Sequence, residues 1–359
     1  MRLKRKHYHY LILLVLLAAA ALGIWLAGRR VRVSCADQMQ EAAALHRQVV
    51  AAVKEERLRR GYELVPEDTL QIGLMGEHIT AITTSLGAME AKRTAQIPDF
   101  AALCVRLFHE AGVQEGDRVG ACFSGSFPGL DLAVLCAAEV MHLDIVYFCT
   151  LGSSNYGANL PGYVMPEMVQ TAVNAGLLSV MPSTVSMGGS GDRGSNMQGY
   201  ALEETEEIDE MIARLEREGI PLSAHPDFAE NIAVHMDLLG DIKAFVNVGG
   251  NILGLGNEDV SLGYGQGLLK PADPVIKESS GLVERYLSLG VPVIHLLNIK
   301  QLCAETGVPY DPVSVPADGT SAVYYSRNYA KPAIIAVGAA AVLGLLGINW
   351  MDRRRRSET

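Results

Sequence analysis

The sequence predicts an α/β body built on a doubly wound, mostly parallel sheet and carried between two transmembrane helices. Three observations point there. Short apolar runs alternate with amphipathic segments between positions 98 and 297, the rhythm of a parallel sheet covered by helices on both faces. Glycine, a β-branched residue and proline recur in that order at Gly219-Ile220-Pro221, Gly290-Val291-Pro292 and Gly307-Val308-Pro309. Glycine closes a helix and proline opens a strand where a missing donor is tolerated, so each predicts a helix-to-strand passage. Finally, an uncharged apolar run stands near each end of the chain, 18 residues over 11–28 and 19 over 333–351. Both approach the roughly 20 residues that a helix needs to cross a bilayer.

The elements follow in order. Residues 1–10 form a basic tail ahead of the first span, 11–28. A cleaved signal peptide is the rival reading, since Arg2, Lys4, Arg5 and Lys6 precede the apolar run. The run is longer than a signal core of 7–15 residues, and Arg29, Arg30 and Arg32 separate it from the small-residue site at Ser34-Cys35-Ala36. A retained anchor is expected. Residues 33–62 read as a helical stalk leading out of the membrane, with a helix over 37–60 capped by Asp37 and ended by Gly61. The body occupies 63–326. In it "PDFAALCVRLFHEAG" is a helix, "DRVGACF" a buried strand, "PGLDLAVLCAAEVM" a helix and "LDIVYFCT" a strand. "LEETEEIDEMIARLEREG" is an acidic amphipathic helix, while "AFVNVGG" and "VPVIHLL" are later strands. A break into two halves is placed in the Gly/Ser stretch 187–199. The second span, 332–351, leads into a basic tail, 352–359, with Arg353 to Arg356 in a row. Basic residues at both outer ends place both termini in the cytoplasm and the body outside the cell membrane.

Charge narrows the partners. The chain carries −10 overall; residues 1–32 contribute +7 and 331–359 contribute +3, so residues 33–330 carry −20. A body that acidic has no electrostatic footprint for nucleic acid, and an anionic ligand must be met by a local site. The six cysteines, 35, 104, 122, 136, 149 and 303, mostly lie in apolar stretches and show no paired framework, as reduced core thiols do.

Ligands of open α/β sheets lie beyond the carboxyl ends of the strands. Four loops are expected there: Ser124-Gly125-Ser126; the stretch that includes Gly152, Ser153, Ser154 and Asn159; the glycine-rich 188–194 segment; and Asn247-Val248-Gly249-Gly250-Asn251. Small residues let backbone amides approach a carboxylate, phosphate or amide. Such residues also serve ordinary turns. Thr83, Thr84, Glu90, Lys92 and Arg93 form a hydroxyl and basic cluster in the acidic body, which either supplies positive charge to that crevice or is a solvated face. Ser126 is the candidate nucleophile, yet its surroundings, Ser124-Gly125-Ser126-Phe127-Pro128, lack both glycines of a hydrolase elbow. A triad would need a histidine, and His225, His235 and His295 are equally available. An N-cap or a ligand-holding hydroxyl is the expected role. His225, Asp227, His235 and Asp237 supply no third ligand in a metal motif. Neither a phosphate-binding loop nor a dinucleotide fingerprint occurs, so no metal or cofactor is expected.

Together "ITTSLGAMEAKRTAQIPDFAAL", "GACFSGSFPGLDLAVLCAAE", "TLGSSNYGAN" and "AFVNVGG", with an anchor at each end, resemble the family called poly-gamma-glutamate system protein. The resemblance covers most of the body and both anchors, with Ser-Gly-Ser-Phe-Pro its most specific part. It implies a bacterial envelope protein associated with poly-γ-glutamate (capsule or envelope polymer) production or export, working with other membrane components of that system. It carries over no catalytic residue; the matching polar positions are Thr83, Thr84, Glu90, Lys92, Arg93, Asp99, Ser124, Ser126 and Asn247. The expectation is an accessory protein that binds a γ-glutamyl chain end, a similar small anion or a partner protein. The alternatives are a serine-dependent amide hydrolase or transferase acting on γ-glutamyl or cell-wall peptide bonds, and a sugar- or nucleotide-type ligand binder.

Overall fold

A computed structural model describes residues 5–223, 225, 227–258, 260–328 and 331–357. Arg2, Lys4, Pro226, Glu358 and Thr359 lie outside the described residues. In chain order the elements are α1 (Arg5–Ala27), β1 (Arg29–Arg32), α2 (Ala36–Arg59), β2 (Thr83–Ser85), α3 (Met89–Thr94), α4 (Asp99–Glu110), β3 (Arg118–Phe123), α5 (Pro128–Val140), β4 (Asp144–Thr150) and β5 (Ser153–Ser154). Then follow α6 (Met165–Asn174), β6 (Thr184–Ser186), α7 (Gln198–Ala201), α8 (Glu206–Arg217), β7 (Leu222–Ser223), α9 (Phe228–Leu239), β8 (Ala244–Val248) and α10 (Ile252–Leu255). The last are β9 (Gly267–Leu269), α11 (Leu282–Ser288), β10 (Val293–Leu296), α12 (Ile299–Thr306), β11 (Tyr325–Asn328) and α13 (Lys331–Ser357).

The chain divides into a unit of both termini, residues 1–33 and 325–359, and a body, residues 34–324. In the terminal unit α1 and α13 are long and apolar enough to span a membrane, each with mean hydropathy 2.0 over its apolar stretch. The first helix begins at Arg5, inside the segment read as a tail. Tyr10 Oη donates to Asn349 Oδ1 at 3.2 Å, and a Cβ on Gly344 would stand 2.8 Å from Leu13 Cδ1. These two contacts make the helices an antiparallel pair, with a glycine where one backbone approaches the other's side chain. Strands β1 and β11 pair antiparallel, Arg29 opposite Asn328 and Arg32 opposite Tyr325.

The body holds a seven-stranded sheet in the order β7-β6-β4-β3-β8-β10-β9. All neighbours are parallel except β9, which runs antiparallel on β10. Central β8 is buried at every position and β3 at every position after Arg118, so neither alternates buried with exposed residues. The chain builds outward from β3 through β4, β6 and β7, then returns to place β8 on the other side of β3. The order therefore reverses between β3 and β8.

Helix α2 corrects the stalk reading. It packs on α4 and α5, burying Met39, Ala42, Val49 and Val53. Two polar groups are buried with them: His46 Nε2 lies 2.8 Å from the Gly129 carbonyl, and Arg57 serves the carbonyls of Gly73 and Met75. These groups interrupt the apolar stripe that would have marked the helix as core. Nor does Asp37 cap it; Cys35 occupies that position with no side-chain bond, and Asp37 lies in the first turn. A second core gathers Phe148, Phe245, Ile232, Leu253, Tyr286 and Val293 between α9, α11 and the sheet. Each such side chain taken from water contributes about 1.5–3 kcal/mol before conformational entropy is subtracted.

The acidic helix is α8, which starts at Glu206 rather than in the preceding Leu-Glu-Glu. Its first turn carries Glu206, Glu207 and Asp209 and its last Arg214 and Arg217, matching the helix dipole. Two of the three glycine–proline passages lead into strands, β7 and β10; the third, after Gly307, leads into irregular chain. The stretch 187–199, read as a break, is a folded loop within one compact body. Buried Asp192 pins it, accepting from Ser186 Oγ at 2.8 Å, the Gly188 amide at 2.9 Å and Asn231 Nδ2 at 2.8 Å. All six cysteines are free, five of them buried.

Candidate functional site

At the carboxyl ends of β3, β4 and β8, where the strand order reverses, lies a crevice of about 480 Å³. Such a reversal leaves the flanking loops diverging to opposite sides, which opens a cleft between them. Its walls come from Thr84, Lys92, Ser124, Ser126, Thr150, Gly152, Ser154, Asn196, Gly250 and Asn251, with Phe127, Ile252 and Leu297 as apolar surface. The volume is that of a small-molecule site.

The turn after β3 sets its floor. The Ser124 amide donates to the Val248 carbonyl at 3.1 Å, extending the ladder by one bond past β8. Gly125 then takes a φ of 63°, a left-handed conformation that turns the chain back at little steric cost to glycine. Ser124 Oγ accepts from the Ser126 amide at 3.2 Å, and Ser126 Oγ accepts from the Ser154 amide at 3.2 Å. The two serines thus tie the turn together and bind it to β5. Across the floor, Gly249 has a φ of 76°, and a Cβ there would stand 2.0 Å from Ser124 Oγ. Only glycine fits.

Lys92 is the crevice's cation. Its side chain is buried, with Nζ donating to the Ser126 carbonyl, hydrogen-bonded to Ser154 Oγ and 4.3 Å from the centroid of the Phe127 ring. Among the described residues it has no carboxylate within salt-bridge distance. Burial pushes its ammonium down to about 7, with Asp131 pulling the other way. Asp131 is itself fully buried, and neither carboxyl oxygen has a hydrogen bond of good geometry. Burial raises it well above the usual carboxylate range; the nearby Gly125 amide and the Lys92 charge oppose that. Burial favours the neutral form of both groups, and the charge of each opposes that in the other.

Of the expected residues, the crevice brings together Thr84, Lys92, Gly152, Ser124, Ser126, Ser154 and Gly250. Gly125, Ser153 and Gly249 shape its loops without lining it. Others are elsewhere. Arg93 is turned away from its neighbour Lys92 and forms a two-pronged ion pair with Asp311, 2.8 and 2.9 Å. Successive residues of a helix point about 100° apart, so only one of the pair can face the crevice. Glu90 lies in the first turn of α3 and does not line it. Thr83 and Asn159 bond each other at 2.9 Å in the core, and Asn247 bonds the Gly249 carbonyl at 3.1 Å and His295 Nδ1 at 3.2 Å. Asp99, matched by the resemblance, accepts from Ser321 in a buried spot away from the crevice. Asn251, the end of an expected loop, lines it too, whereas Thr150, Asn196 and Asp131 were missed. Thr150 ends a strand and Asn196 lies in a loop, positions that could have flagged them; Asp131 sits in an apolar helical pattern that gives no signal.

Chemically, the site presents hydroxyls, amides and one desolvated amine. Among the described residues no histidine hydrogen-bonds Ser126. His235 lies against Phe148 with ring centroids 4.2 Å apart and the rings tilted by 57°, and His295 is tied to Asn247. No group of three His, Cys, Asp or Glu converges as a metal site among the described residues. A larger concavity, about 880 Å³ beside α8, is lined by Glu203, Glu204, Glu206, Glu207, Asp209 and Glu210, which suits no anion.

No protein-family model, curated protein or solved structure matches the chain.

Proposed function

We propose that this is a membrane-anchored accessory protein of poly-γ-glutamate production or export, whose crevice holds a γ-glutamyl chain end or a similar small anion. The observation that carries the ligand reading is Lys92: one buried amine among hydroxyls, in a body of charge −20, at the reversal of strand order. A carboxylate bound there would restore charge to Lys92 and accept from the surrounding hydroxyls, while the acidic surface would turn polymer away from the rest of the body. On this reading the sheet is doubly wound, α1 and α13 span the cell membrane, both termini are cytoplasmic, and the body meets other membrane components of the system outside.

The test is titration of short γ-glutamyl oligomers into the full chain in detergent micelles. Saturable binding should be lost in Lys92→Ala and kept in Arg93→Ala, because Arg93 is committed to Asp311. Binding indifferent to Lys92→Ala, or an equal preference for neutral sugars, would sink the anion reading. Orientation is checked with an impermeant maleimide on intact cells carrying Glu115→Cys at an exposed loop; an unlabelled thiol reverses it.

A triad built on Ser126 finds no support in the geometry, since no histidine among the described residues hydrogen-bonds it. Acyl transfer finds support at a different serine.

A further inference from the structure

The hydroxyl in contact with a base in this crevice is that of Ser154. Ser154 occupies the second position of β5, where pairing with Ser85 of β2 fixes its backbone. Its amide is tied to Ser126 Oγ and its Oγ meets Lys92 Nζ. Lys92 and Ser154 are 3% and 6% exposed, yet both line the open crevice, so the pair is shielded from bulk water and reachable by a ligand. Ser126 has the opposite character: more exposed, with its Oγ accepting from the Ser154 amide and bonded to no basic side chain among the described residues.

We propose that Ser154 is an acyl-accepting nucleophile and Lys92 its general base, giving this crevice an amide- or ester-cleaving or acyl-transfer activity. A neutral amine has one lone pair and two N–H bonds. In the structure Nζ donates to both the Ser126 carbonyl and Ser154 Oγ; once the amine is neutral, its lone pair accepts the Ser154 hydroxyl proton while one N–H still donates to the Ser126 carbonyl. Desolvation keeps a substantial neutral fraction at pH 7, which an exposed lysine would lack. Serine–lysine pairs are an established variant of nucleophile activation.

In the first step a bond forms between Ser154 Oγ and the substrate carbonyl carbon as the hydroxyl proton passes to Lys92 Nζ. The tetrahedral adduct collapses with cleavage of the bond to nitrogen or oxygen, and Lys92 returns that proton to the departing amine or alcohol. Water, or a second amine in the transfer case, then attacks the acyl–Ser154 ester. Lys92 takes the attacker's proton and delivers it to Ser154 Oγ as the ester bond breaks. Ser126, whose own proton meets no acceptor among the described residues, supplies a hydroxyl donor beside the reacting group. The substrate class is a small amide or ester; the step stands independently of the polymer reading.

The experiment treats the full chain in detergent micelles with an alkyl fluorophosphonate and maps adducts by peptide mass spectrometry. One adduct is expected, on Ser154, with a rate rising on the order of 100-fold between pH 5 and pH 8 as Lys92 loses its proton. Lys92→Met and Ser154→Ala should abolish it, and Ser126→Ala should slow the labelling without moving the adduct from Ser154. In case those variants misfold, Ser154→Cys is a second route. Its new thiol should be alkylated by iodoacetamide with a pH midpoint below the ordinary value for cysteine, about 8.5, through the adjacent Lys92. An adduct on Ser126, no adduct on a chain shown folded by circular dichroism, or a rate flat across pH 5–8 would each overturn the proposal. Because no γ-glutamyl ligand is used, such a failure leaves the binding reading untouched, and a failed titration leaves this one standing.

Discussion

His46 should make this protein acid-labile. It lies fully buried on α2, its Nε2–H donating to the Gly129 carbonyl at 2.8 Å, while Nδ1 has no partner. Protonating Nδ1 would therefore place an uncompensated charge in the core. Burial lowers its pKa from the ordinary 6.5 to about 4, with Arg47 adding in the same direction and the Gly129 bond opposing. The sign follows from the proton count. Between pH 4 and 6.5 the unfolded chain binds the proton and the folded chain does not, so stability rises with pH across that window and is lost as pH falls through it. Each pH unit is worth about 1.4 kcal/mol, giving a loss of about 2.5 kcal/mol by pH 4.5 from this residue alone. That is a sizeable share of the 5–15 kcal/mol typical of a folded domain. The assay is pulse proteolysis in a urea gradient on the full chain in micelles, at pH 7 and pH 4.5, with wild type and His46→Gln. Glutamine keeps an N–H for Gly129 and cannot be protonated. The drop in unfolding free energy between the two pH values should shrink in the variant by about 2.5 kcal/mol. An unchanged drop would refute the reasoning. His295, pushed to about 4 by the same cause, should account for much of the acid sensitivity that remains.

Two further outcomes follow from the same packing. Glu167 is almost fully buried between Arg60, 2.6 Å, and Arg214, 3.0 Å, and also accepts from the Val164 amide at 3.0 Å. Glu167→Gln should lower the urea midpoint by an amount equivalent to about 3 kcal/mol, because two guanidiniums lose their shared counter-charge; a loss below about 1 kcal/mol would mean solvent already screens the trio. Gly249→Ala combines a left-handed backbone with a Cβ directed at Ser124 Oγ, and should cost about 2–4 kcal/mol and weaken ligand binding; unchanged stability would show that the turn relaxes freely.

Much of this fold was legible from the sequence where burial is uniform. Strands β3, β4 and β8 are mostly apolar runs bounded by turn residues, so their limits fall within a residue or two of expectation. Elements of two or three residues, such as β5 and β6, leave too little pattern to register and exist only because neighbouring strands offer them ladders. The stalk reading failed for a related reason: His46 and Arg57 are polar by type but buried by tertiary hydrogen bonds that no local pattern shows. The crevice followed the same division. Its loops were visible as small residues after strands, whereas Lys92 and Arg93 were indistinguishable until the phase of a six-residue helix assigned one inward and one to Asp311. The third glycine–proline passage was misread because glycine and proline mark the end of a helix and not what comes next.

The pairing of β1 with β11 joins residues that are nearly 300 positions apart, and it sets a timetable for synthesis. At roughly 5–20 residues per second, the ribosome needs tens of seconds between making one partner strand and the other. Throughout that interval α1 has no partner helix, and the helical hairpin stays half-built. Closure of the ribbon is thus a late event: it can occur only after residues 325–328 have been made, and a product truncated before them would keep α1 without α13.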